Sequence, residues 1–138
     1  MTQVLVADPH DASRQSLSAA LADAGFHVLQ AANGVAVLHS LMEHTQPLVV
    51  LLDEPLPELD TASLLRLMSL KPEARERYAI VLLTADLGAV IARSMSGKLG
   101  KLPIYVVAKP LKLDSLATVI RLAARHLSEL AVPQVLEG

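Results

Sequence analysis

The sequence predicts an α/β fold, a five-stranded parallel sheet with helices on both faces. Three observations carry that reading. Five short apolar runs recur along the chain. Each is followed by a longer segment whose apolar residues fall at helical spacing. The composition, 52% hydrophobic against 19% charged over 138 residues, can bury one core and not comfortably two.

The first strand is Val4-Leu5-Val6-Ala7. Residues 11–24 form a helix with Leu17, Ala20, Leu21 and Ala24 on one side, and Gly25 fits the position just past its end. Phe26-His27-Val28-Leu29-Gln30 is the second strand, and Asn33-Gly34 turns the chain into a helix carrying Val37, Leu38, Leu41 and Met42. Leu48-Val49-Val50-Leu51-Leu52 is the third strand, preceded by Pro47 and ending at Asp53. A continuous apolar run of this length reads as a strand buried on both faces. Asp60 or Thr61 caps a third helix through Leu64, Leu65, Met68 and Leu70, closed by Lys71-Pro72. Tyr78-Ala79-Ile80-Val81-Leu82-Leu83 is a fourth strand ending at Thr84. A weaker helix spans 87–95, with Gly88 near its start and Gly97 beyond it. Ile104-Tyr105-Val106-Val107-Ala108 is the fifth strand, ending at Lys109-Pro110. The last helix, 113–130, places Leu116, Val119, Ile120, Ala123 and Leu127 on one side. Strand–helix alternation implies parallel pairing, and right-handed crossovers leave few topologies. With five strands the favoured order is 2-1-3-4-5, that of flavodoxin-like folds. Residues 1–130 are expected to form one domain and 131–138 a tail or the start of a linker.

Several classes are excluded or disfavoured. One Phe, two Tyr and no Trp give little surface for base stacking, and a net charge of -2 leaves no basic footprint for direct nucleic-acid binding. Cysteine is absent, so disulfides and thiolate metal sites are excluded. The N-terminus lacks a signal-peptide pattern, and no apolar run is long enough to span a membrane. A cytoplasmic domain is the expectation. His10, His27, His39, His44 and His126 show no ligand spacing, and Arg14 reads as a solvent-facing helix residue.

The chemistry gathers at the strand ends. Asp8, Asp53, Thr84 and Lys109 each follow directly on an apolar run, at strands one, three, four and five. In a parallel sheet those edges lie together, where open α/β sheets place their ligands. Each residue alone reads equally well as a cap or loop-solvating group; four on four strands do not. Paired carboxylates repel, and a lysine or a hard divalent cation relieves that repulsion. Mg2+ takes one or two carboxylates with phosphate and waters. One carboxylate could instead attack phosphorus, giving an aspartyl phosphate.

With these residues in order, the chain resembles the receiver domains of two-component response regulators over about residues 3–128. The resemblance rests on Val4-Leu5-Val6-Ala7-Asp8, on residues 25–34, on Leu51-Leu52-Asp53 with Pro57-Glu58-Leu59-Asp60, on Leu83-Thr84-Ala85 and on Lys109-Pro110-Leu111. It implies that Asp53 accepts a phosphoryl group from a histidine kinase or phosphotransfer protein. It implies that Asp8, Asp53 and the Pro55 backbone carbonyl hold Mg2+. Thr84 would contact the phosphoryl group and shift on activation, and Lys109 would pair with its oxygens. The Lys109–Pro110 bond is a cis candidate. A downstream partner or a second copy would bind the face made by the fourth helix, fifth strand and fifth helix. Such a domain catalyses at most its own phosphorylation and dephosphorylation.

The chain departs from the pattern at three places. Pro9 stands where a second acidic residue is usual, which predicts weakened Mg2+ binding; Asp11 is a distant substitute. Val106 stands where an aromatic is often found, with Tyr105 one place earlier and pointed to the other face. Residues 98–103 form a long basic loop, read as a solvated loop or a partner surface. Glu54 lines the site rim or a solvated loop. Two further readings stay open. One is a degenerate receiver acting as a phosphorylation-independent interaction module. The other is an enzyme or nucleotide-binding protein on the same fold, disfavoured because Asp8-Pro9-His10-Asp11 replaces a glycine-rich phosphate loop.

Overall fold

The computed structural model describes residues 2–95, 97 and 102–131. Its elements run β1 (Gln3–Ala7), α1 (Asp11–Asp23), β2 (His27–Ala31), α2 (Gly34–Glu43), β3 (Leu48–Asp53), α3 (Thr61–Met68), α4 (Ala74–Arg77), β4 (Tyr78–Thr84), α5 (Leu87–Met95), β5 (Ile104–Ala108) and α6 (Leu113–Ala131). The strands form one parallel sheet in the order β2-β1-β3-β4-β5, as the alternation predicts.

Both sheet faces are covered, and the alternation along each strand decides which face a residue serves. Leu48, Val50 and Leu52 of β3 join Leu5, Val37, Leu41, Leu64, Leu65, Met68, Ile80 and Leu82 in one core. Val49 and Leu51 join Val4, Val6, Leu21, Val81, Leu116, Ile120 and Ala123 in the other. At the N-terminal end of β4 the Tyr78 ring is fully buried, and its hydroxyl accepts a hydrogen bond from Lys71 Nζ at 2.9 Å.

Several boundaries shift by a residue or two from the sequence expectation, and two of them and one additional turn have a clear local cause. β2 begins at His27, not Phe26. The Phe26 N–H is committed to Leu21 O at 3.1 Å and the Gly25 N–H to Ala22 O at 3.0 Å. Gly25 has φ +102°. This is a Schellman closure of α1, and it takes Phe26 out of the ladder while burying its ring beside Leu21. α3 stops at Met68, where the chain tightens: the Leu70 and Lys71 N–H groups donate three residues back, to Leu67 O at 3.2 Å and Met68 O at 3.4 Å, and the Ser69 hydroxyl donates to Leu65 O at 2.7 Å. The α4 turn has no counterpart in the sequence reading. Four residues are too few to show periodicity; buried Ala74 and the Arg77–Glu73 ion pair at 3.3 Å hold it. Because α4 intervenes, the fourth and fifth helices of the sequence reading are α5 and α6 here.

The expected basic loop falls largely at 98–101, outside the described residues; Leu102, at its end, is buried. Residues 132–138 of the expected tail also lie outside them. Among the described residues no helix is long and apolar enough to cross a membrane.

Two loops at the sheet's C-terminal edge lock together. A Cβ on Gly34 would lie 2.7 Å from both Leu59 Cβ and Leu59 O. The Gly34 N–H also donates to Pro57 O at 3.4 Å. The loop from β3 to α3 turns at Glu58, whose φ of +70° is left-handed, and Asp60 then caps α3 through the Ser63 N–H at 3.4 Å. Gly34→Ala is expected to push this loop away and to cost about 1–3 kcal/mol, read as a lowered urea midpoint. Hydrogen bonds from Ser63 hold the Asp60 carboxyl below its ordinary 3.8. A lowered folded-state value means that the cap's contribution is complete above the unfolded value and is lost as pH falls through the folded one. Urea midpoints between about pH 5 and about pH 3 should therefore fall less steeply in Asp60→Asn, which caps without titrating.

Candidate functional site

β1 carries Asp8 to the rim of the sheet. Its N–H bonds Ala31 O at 3.1 Å, extending the β1–β2 ladder by one residue. Its side chain is 1% exposed. Burial of a carboxylate requires partners, and Asp8 has two. Oδ1 accepts the His10 N–H at 2.8 Å and Oδ2 accepts the Ser13 hydroxyl at 2.5 Å. His10, at the N-cap of α1, makes no side-chain cap of its own, so Asp8 fastens the start of that helix.

Arg14 corrects its sequence reading. Its side chain is 12% exposed rather than solvent-facing. Nη1 donates to Asp8 O at 2.9 Å, Nε to Gln30 Oε1 at 3.1 Å and Nη2 to Asp11 at 2.7 Å. The guanidinium thus bridges the ends of β1 and β2, and Asp11, on the first turn of α1, is engaged with it.

β3 delivers Asp53 to the same rim, in register with Leu83 of β4. Lys109 Nζ forms an ion pair with Asp53 Oδ1. The Lys109 N–H donates to Thr84 O at 2.8 Å, which fixes where the lysine leaves β5. The Lys109–Pro110 and Glu54–Pro55 peptide bonds are both cis. Asp8, Asp53 and Lys109 open on one cleft of about 500 Å3, completed by Ser13, Leu17, Leu83, Ala85, Pro110 and Leu111.

Thr84 and Pro55 are placed differently. Thr84 is buried at the end of β4, and its Oγ1 accepts the Asp86 N–H at 3.0 Å. Neither Thr84 nor Pro55, which is exposed, lines the cleft. Pro9 is half-buried next to Asp8. On β5, Val106 points outward, while Tyr105 packs on the α6 side with its ring centroid 6.5 Å from that of His126. The two residues take opposite faces, as strand alternation requires.

Glu54, next in the chain after Asp53, is the residue whose role the sequence left most open. Its carboxylate accepts both Arg93 Nη1 at 3.0 Å and Nη2 at 2.7 Å, a bidentate pair joining β3 to α5. Burial pushes the Glu54 carboxyl up. The Arg93 bonds, the Thr61 hydroxyl and the charges of Arg93 and Lys109 more than offset this, and it lies below its ordinary value. Ser13 and Arg93 gave no sequence signal, because a lone serine or arginine on a helix has many commoner uses.

The arrangement suits chemistry on an anion. Lys109 holds one Asp53 oxygen, and the other has no hydrogen-bond partner among the described residues. An oxygen so placed, with an ammonium beside it, has the chemistry a nucleophile toward phosphorus requires. For a divalent cation the fit is sparse. No group of three or more His, Asp or Glu side chains converges among the described residues. Two carboxylates on one cleft meet the minimum Mg2+ accepts when phosphate and water supply the rest.

No curated protein sequence matches the chain. Among solved structures it is similar to a response regulator receiver domain protein from Clostridium thermocellum, at 24% identity and TM-score 0.78, covering 94% of this chain and 99% of that one. It is also similar to the receiver domain of a signal transduction histidine kinase from Syntrophus aciditrophicus, at 21% identity and TM-score 0.76, covering 100% and 98%. A third is the receiver domain of a sensor histidine kinase from Pseudomonas aeruginosa, at 23% identity and TM-score 0.73, covering 92% and 98%, with a magnesium ion coordinated in its active-site cleft. The sequence model of the response regulator receiver domain matches residues 4–121, most of the chain, and the protein belongs to that family.

Proposed function

We propose that this receiver domain is switched by a phosphoryl group accepted on Asp53. The observation that carries the reading is the Asp53–Lys109 ion pair at the mouth of a cleft shared with Asp8. The donor is a phosphohistidine on a histidine kinase or phosphotransfer protein. The unengaged Asp53 oxygen attacks phosphorus, the P–N bond breaks as the P–O bond forms, and the imidazole leaves. Lys109 stays beside the acceptor and neutralises charge on the phosphoryl oxygens. Thr84 is one backbone step from this centre, through the Lys109 N–H on its carbonyl. Its hydroxyl reaches the phosphoryl group by giving up the Asp86 N–H.

Mg2+ would be held by Asp8, Asp53 and the Pro55 carbonyl, and when bound supplies charge neutralisation and orientation of the phosphoryl oxygens. Pro9 contributes no carboxylate, and both Asp8 oxygens already accept hydrogen bonds, so this chain's affinity is low. Residues 1–130 are the functional unit. The output surface is α5, β5 and α6, where Leu87, Ile91, Met95, Val106 and Leu113 are exposed and available to a downstream protein or a second copy.

One observation favours the competing reading of a phosphorylation-independent interaction module. The Asp8 carboxylate and the Thr84 hydroxyl are both occupied by local backbone hydrogen bonds. The deciding experiment is intact mass after incubation with magnesium and acetyl phosphate. Gain of one phosphoryl group in the wild type and none in Asp53→Asn is expected; no gain in either supports the interaction module. Magnesium affinity, read calorimetrically, should rise about tenfold, the equivalent of 1.36 kcal/mol, in Pro9→Asp. It should fall below detection in Asp8→Ala. An unchanged affinity in Pro9→Asp would remove the explanation based on the missing carboxylate.

A further inference from the structure

We propose that the Glu54–Arg93 ion pair is a latch that fixes α5 to the acceptor loop and opens when negative charge is added at Asp53. The second clause rests on Asp53 being the phosphoryl acceptor; the first does not.

α5 is thinly anchored. Of its described side chains only Val90 is buried; Leu87, Ile91 and Met95 are 42%, 49% and 84% exposed along one stripe. Its N-terminus hangs from the rim through Asp86, whose N–H donates to Thr84 Oγ1 at 3.0 Å and whose carboxylate accepts the Ala89 N–H at 3.0 Å. Its C-terminal half is tied by Arg93, through two parallel bonds to Glu54. Both side chains are partly shielded from solvent, so the pair is screened less than a surface bridge. With one apolar anchor in the helix, a bidentate ionic bond has large leverage over its position.

The location of Glu54 makes the latch responsive. One peptide bond separates it from Asp53, and Lys109 supports both carboxylates. The phosphorylated side chain would carry about 1.5 to 2 negative charges in place of the carboxylate's one, a net gain of up to about one, and would draw Lys109 to itself. Glu54 would lose that support and face a new repulsion. The guanidinium would acquire a competing acceptor of matching fork geometry. Asp60 and Asp86, the other carboxylates near Arg93, also favour its charged form. The helix released is the one whose apolar stripe forms part of the proposed output surface.

The test is hydrogen exchange by mass spectrometry on the full chain, following peptides from α5. Glu54→Gln and Arg93→Gln should each raise α5 exchange about tenfold, with β3 and β4 unchanged. The double variant should exchange no faster than either single one, and the charge swap Glu54→Arg with Arg93→Glu should restore protection. Unchanged α5 exchange in both single variants overturns the latch, as does an additive double variant. In a second arm the wild type is treated with magnesium and acetyl phosphate, with intact mass read on the same sample. Mass gain with α5 exchange rising to the variants' level is expected. Mass gain without that rise overturns the trigger. Absence of mass gain overturns the acceptor reading and the trigger together, while the first arm still decides the latch.

Discussion

The site depends on β3 being buried on both faces. Leu48 to Leu52 contribute to two separate cores, and that double burial leaves the strand no freedom to slip or tilt. Asp53 follows directly on Leu52, so its carboxylate inherits the rigidity of a strand buried on both faces. β1 and β4 flank it in parallel register and carry Asp8 and Thr84 to the same edge. A one-residue slip of β3 would invert its alternation and send Asp53 to the opposite face.

The rim is crowded with like charge, and the structure resolves this by giving each carboxylate its own partners. Asp8 is held by an N–H and a hydroxyl, Asp53 by an ammonium, and Glu54 by a guanidinium. The cations are held differently: Arg14 donates to three acceptors, Arg93 makes a bidentate pair with Glu54, and Lys109 pairs with Asp53 through Nζ. Lys109 lies on the cleft, and Arg14 braces the strand ends.

Stability is unevenly distributed in a way that suits a switch. The α1 and α6 side closes over a continuous apolar layer, and α2 and α3 close over the other. α5 alone among the longer helices rests on a single buried side chain of those described, supplemented by an ion pair and an Asp86 cap. Elements that move are drawn from the weakly anchored end of a fold. Residues 87–95 are rich in apolar side chains, yet among the described ones only Val90 is buried.

Most of the fold was legible because it is written in periodicity. Continuous apolar runs marked buried strands, 3.6-residue spacing marked helices, and handedness reduced the topologies to the order observed. The strand-end positions of Asp8, Asp53, Thr84 and Lys109 were legible for the same reason, since a parallel sheet brings such ends together. What the sequence could not contain was the direction of each side chain. Arg14 and Glu54 looked solvated or ambiguous because their partners, Gln30 and Arg93, are 16 and 39 residues away. Phe26 left its strand because the Schellman turn claimed its N–H, a competition between two local hydrogen bonds. Local pattern determined which residues reach the rim; long-range packing alone decided which charges meet there, because ion pairing depends on distances that only the closed fold defines.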